Sequence, residues 1–111
     1  LPEAVAMDML MSGRRMAVEE AIHFGLINRH CEGEVLIEQA LAWAQEIAQS
    51  APLSLASIKA ITRATQGMEL EQAYTHMRKE VPAYQKMLHS EDASEGPNAF
   101  AEKREPHWQG R

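Results

Sequence analysis

Apolar residues along this chain recur at helical rather than alternating intervals. After Leu1-Pro2, the residues Val5, Ala6, Met9 and Leu10 repeat at helical spacing as far as Ser12-Gly13, with Pro2 suited to the first turn. Met7 and Met11 add a second apolar face, so this helix expects neighbours on most sides. A shorter helix is predicted over about Ala17 to Phe24, with Gly25 as its left-handed stop. Leu26 to Cys31 reads as a brief extended segment, stable as a strand only if it pairs and otherwise a loop.

From Gly33 to Ala51 runs the clearest helical pattern. Leu36, Ala40, Trp43 and Ile47 form one stripe, with Ile37, Leu41, Ala44 and Ala48 beside it. Pro52 opens the next helix, which carries Leu55, Ile58 and Ile61 to a stop at Gly67. A longer helix is predicted over about Glu69 to His89, packing through Leu70, Ala73, Tyr74, Met77, Val81, Tyr84 and Leu88. Pro82 lies inside it and removes one backbone bond, so a kink or short break is expected there. Ser90 suits an N-cap, Gly96-Pro97 is expected to end or bend the helix that follows, and Glu105 to Arg111 is a tail. The pattern predicts an all-α fold of five or six helices in a single region, residues 1–111.

Composition narrows the function. Hydrophobic residues make up 45% and charged residues 24%, an ordinary proportion for a globular domain. A net charge of -5 argues against binding a phosphate backbone, so nucleic acid is not an expected partner. No apolar run reaches the roughly 20 residues that cross a bilayer, and a membrane is not expected either. The lone Cys31 has no partner for an internal disulfide, which fits a cytoplasmic setting. The chain opens at Leu1-Pro2 without Met, directly on a helical pattern, which suggests processing or truncation.

Most candidate chemistry has an ordinary reading. Carboxylate pairs at Glu19/Glu20, Glu34/Glu38, Glu69/Glu71 and Glu102/Glu105 lie in polar stretches with nothing apolar to raise a pKa, so no catalytic acid is assigned. The five histidines lack the spacing of helical zinc sites, and no metal is expected. Cys31 sits among acids that disfavour a thiolate. Ser12-Gly13-Arg14-Arg15 has one glycine, too few for a phosphate cradle, and reads as a turn with solvated arginines. Met7, Met9, Met11 and Met16 suit either a core or an interface. Phe100 and Lys103, three apart on the last helical turn, differ from these: a phenyl ring supports an adenine and an ammonium meets a phosphate. The alternative is a core phenyl beside a solvated Glu102-Lys103-Arg104 cluster.

The terminal run Ser90-Glu91-Asp92-Ala93, Glu95-Gly96-Pro97, Ala99-Phe100-Ala101-Glu102-Lys103-Arg104, Pro106, Trp108 and Gly110-Arg111 resembles the carboxyl terminus of the enoyl-CoA hydratase/isomerase (crotonase) family. Met11 to Met16, Glu19-Glu20-Ala21, Phe24 to Arg29 and Ala51-Pro52-Leu53 with Lys59 resemble the same family in the same order. The resemblance implies a lyase or isomerase acting on a short 2-enoyl-CoA. Its β/α spiral core, oxyanion hole and catalytic acids would precede Leu1. This chain would be the helical C-terminal region, which in the family builds trimers and hexamers and closes over the CoA pocket. By that resemblance Phe100 and Lys103 are CoA-binding candidates, the CoA thioester is the substrate of the parent enzyme, and no cofactor is bound covalently. The chain alone would then be inactive but self-associating. A standalone helical self-association module with no catalytic role is the contrasting expectation.

Overall fold

The computed structural model describes residues 1–111. It is all-helical, with no strand. Seven α-helices follow one another: α1 (Glu3–Ser12), α2 (Val18–His23), α3 (Leu36–Ala48), α4 (Pro52–Ala64), α5 (Leu70–Glu80), α6 (Pro82–Leu88) and α7 (Asp92–Glu102). A single 3-10 turn, Gly33–Val35, leads into α3. The helix number exceeds five or six because Pro82 divides the long helix in two. Val81 is forced extended, at φ -104° and ψ 98°, and Pro82 becomes the first residue of α6.

In two places the structure takes one of the alternatives the sequence leaves open or excludes one. Leu26 to Cys31 has no neighbour to pair with and is a loop. The amides of Leu26 and Ile27 instead bond back to the Ala21 carbonyl, at 2.8 and 3.4 Å. Nor do Gly96-Pro97 end the terminal helix, since α7 runs through both to Glu102. Pro97 removes one intrahelical bond, but the tail is bonded to the preceding turn of this helix at Asp92 and Glu95. Gly96 itself admits the Trp108 indole, because a Cβ there would lie 3.3 Å from Trp108 Cη2.

The chain divides into two compact units, Leu1–Ala42 and Trp43–Arg111. In the first, Gly13 closes α1 in the left-handed region at φ 66°, its amide bonding to the Met9 carbonyl at 2.9 Å. Ala21 is the sole buried residue of this unit. The second unit is built chiefly on α4 packed against α6, with α5 and α7 making smaller contacts. Ser57, Val81, Asp92 and Ala99 are buried there.

The exposed surface totals 9055 Å². Leu10, Met11, Ile37, Leu41, Leu70 and Phe100 are among the large apolar residues left uncovered. The helical stripes legible in the sequence are present, but most of their apolar faces have no counterpart within their own unit.

Candidate functional site

The richest arrangement of polar side chains lies where the tail returns onto α7. Ser90 Oγ accepts from the Ala93 amide at 3.1 Å and fixes the start of the helix. At the first residue of α7, the Asp92 carboxylate is only 4% exposed and accepts two tail amides, from Gln109 at 2.7 Å and Gly110 at 2.9 Å. Glu91 donates its amide to the Arg111 carbonyl at 2.7 Å. The Trp108 indole packs on Gly96 and donates its Nε1–H to the Gln49 carbonyl at 2.7 Å. A segment with no regular structure is thereby tied down at 108, 109, 110 and 111.

Glu95 gathers a second set of bonds. Arg104 reaches both of its oxygens, at 2.6 and 3.0 Å, and the His107 amide donates to Oε1 at 2.7 Å. Arg104 also donates from Nε to Glu102 at 2.6 Å. These donors, Arg104 foremost, pull the Glu95 pKa down to about 2. The Arg104 guanidinium is held charged more firmly in return.

At the end of α7 stand the two residues singled out from the sequence. Phe100 is 88% exposed, so it is not a core ring. Lys103 is exposed and lies just past the helix, in the left-handed region at φ 55° and ψ 41°. Its amide donates to the Phe100 carbonyl at 3.3 Å, and the Arg104 amide to the Ala99 carbonyl at 3.0 Å. The two residues therefore stand at a helix terminus rather than along one helical face. Lys103 is the sole non-glycine residue with positive φ. This conformation costs a residue with a Cβ about 1–2 kcal/mol, and glycine is its usual occupant.

Elsewhere the candidates behave as surface. Arg14 is not a solvated turn residue: it bonds Asp8 at 2.5 Å and both oxygens of Glu20 at 2.6 and 2.8 Å. That contact lowers the Glu20 pKa. Glu34, Glu38, Glu69 and Glu71 are exposed, and no group of three or more His, Cys, Asp or Glu is placed to hold a metal. Of the methionines, Met7 and Met11 are exposed and Met9 and Met16 half-buried. An apolar groove lined by Ile61, Leu70, Tyr74 and Met77 runs between α4 and α5. No helix is long and apolar enough to cross a membrane. Phe100 and Lys103 leave an aromatic ring and an ammonium group open to solvent at the end of α7. The nearby carboxylates Glu95 and Glu102 are committed to Arg104.

The family pattern for enoyl-CoA hydratase/isomerase matches residues 1–111. The chain belongs to the enoyl-CoA hydratase/isomerase family. It is 48% identical over 112 residues to a carnitinyl-CoA dehydratase of Citrobacter koseri and 49% identical to one of Salmonella typhimurium, covering all of this chain and 43% of each relative. An enoyl-CoA hydratase/isomerase from Mycobacterium paratuberculosis superposes with a TM-score of 0.84 at 34% identity, again over the whole chain and 43% of that protein. A putative short chain enoyl-CoA hydratase from Novosphingobium aromaticivorans gives 0.83 at 32%. The chain thus spans under half the length of the family members it matches, and its fold corresponds to their C-terminal helical part.

The tail clamp of this family member leaves little trace in its sequence beyond Trp108. Asp92 and Glu95 are three apart on α7, but their partners lie 9 to 18 positions away and show no periodicity. The one signal was compositional: Arg104, His107 and Trp108 in a tail that would otherwise be expected to be plain and polar.

Proposed function

We propose that this chain is the C-terminal helical part of a lyase that hydrates or dehydrates a short 2-enoyl-CoA, with crotonobetainyl-CoA and carnitinyl-CoA as the substrate pair. The observation that carries this reading is the 48% identity to carnitinyl-CoA dehydratase along the whole chain. The solved enoyl-CoA hydratases named above stand lower, at 34% and 32%. Within that enzyme, residues 1–111 act as one region that closes the CoA pocket and joins subunits. Phe100 and Lys103 contact the CoA nucleotide. In favour of that assignment are the exposed ring, the adjacent cation, and a lysine kept where glycine would be less strained. The setting is cytoplasmic, and the chain on its own is inactive.

A hybrid enzyme tests this. This chain replaces the matching C-terminal region of the Citrobacter koseri carnitinyl-CoA dehydratase, and crotonobetainyl-CoA hydration is measured. Activity within about tenfold of the parent, a difference of roughly 1.4 kcal/mol in the barrier, is expected. An assembled but inactive hybrid would overturn the assignment. The second reading, a self-association module without catalytic role, draws on the uncovered apolar surface. Both readings expect the isolated chain to associate, and they part on whether the hybrid turns over substrate.

A further inference from the structure

The left-handed backbone at Lys103 has to be held by what flanks it. On the helix side, the Ala99 and Phe100 carbonyls accept from Arg104 and Lys103. On the far side, the next residue, Arg104, is gripped at two points by Glu95, and the same carboxylate takes the His107 amide. The chain that leaves Lys103 is thus returned to one side chain of α7 at positions 104 and 107. At 100° per residue, Glu95 lies about 140° around the helix from Phe100. The clamp therefore works from behind, and Phe100 stays open to solvent. Asp92 holds residues further along, at 109 and 110, and is not the constraint nearest Lys103.

We propose that Glu95 is a positioning residue for acyl-CoA binding: its two-point hold on Arg104 fixes the backbone of Lys103, and through it the place where the ammonium meets the CoA phosphates. This rests on the reading of Lys103 as a CoA contact. A planar guanidinium on a carboxylate sets orientation as well as distance, which a single-point ion pair does not. Glu95 touches neither substrate nor reacting atoms, and acts only through its neighbour.

The experiment is a double-mutant cycle in the hybrid enzyme, with crotonobetainyl-CoA as the probe. Lys103→Ala raises KM about tenfold, as expected for one lost charge contact. Glu95→Gln and Arg104→Gln each raise KM several-fold with kcat held, and Glu95→Gln adds nothing once Lys103 is already alanine. A merely structural role would give additive effects, or a fall in kcat, or failure of both single variants to assemble, and each of these overturns the proposal. If Lys103→Ala leaves KM unchanged, the CoA reading itself falls. If Lys103→Ala acts and Glu95→Gln does not, only the positioning role falls. In the full 111-residue chain, independently of catalysis, Glu95→Gln must also speed hydrogen exchange of the Arg104 amide; unchanged exchange overturns the proposal.

Discussion

The two units of this chain are made of similar helices but held together by different means. Leu1–Ala42 buries one alanine and is tied by Arg14, which joins Asp8 of α1 to Glu20 of α2. Trp43–Arg111 buries four residues, two of them polar, and seals its last helix with a tail bonded at several points. Exposed ion pairs contribute little to stability, whereas buried groups with satisfied hydrogen bonds resist opening. The second unit therefore has the means to stay ordered by itself. The first leaves uncovered the apolar face of α1 and that of the first half of α3, at Leu36, Ile37 and Leu41, and depends on being covered. Helix formation and core formation are separate achievements, and the first unit has only the former.

The sharpest way to break this contrast is Asp92→Ala. It leaves the Gln109 and Gly110 amides without an acceptor at a nearly dry site, at an expected cost of about 3 kcal/mol to the second unit. Urea unfolding followed by tryptophan fluorescence measures it, with α1 and α2 amide exchange unchanged. A loss shared equally by both units would mean that they unfold as one. Next in size is Ser57→Ala. The Ser57 hydroxyl, on a residue 1% exposed, has no hydrogen-bond partner. Replacing it removes an unpaid desolvation and adds helix propensity, so the second unit should gain about 1 kcal/mol. A loss instead would mean that the hydroxyl has an acceptor.

The smallest effect is in the acid limb. Glu95 has a folded pKa near 2, below the ordinary value of 4.5, so its contribution is complete above the ordinary value and is lost as pH falls through about 2. Glu20 is shifted in the same direction, so acid also weakens the tie in the first unit. A carboxyl-carbon NMR titration that placed Glu95 at the ordinary value would remove the bidentate clamp from solution.

The helices were legible because their apolar stripes are periodic, and Pro82 announced its own break through a rule that acts on the adjacent residue. What escaped was set by distant partners. Gly96-Pro97 look like a stop until Trp108 is known to rest on Gly96. Glu95, Glu102 and Arg104 look like solvated charge until the chain returns through 104 and 107. Arg14 reads as a solvated turn residue until Asp8 and Glu20 converge on it. Phe100 and Lys103 were found by their side-chain chemistry and by family resemblance. The left-handed conformation of Lys103 left no trace, since the usual marker for it is a glycine.

The bond from Trp108 to the Gln49 carbonyl joins positions 59 residues apart. Such a closure is entropically costly until the intervening helices have gathered, so it belongs late in folding. A nascent chain therefore gains its Trp108 latch only after α4 to α7 are in place, and the indole serves as a built-in reporter of completed assembly. Latching does not cover the apolar groove between α4 and α5 or the exposed ring of Phe100, so the indole reports that the unit has gathered without shielding either surface.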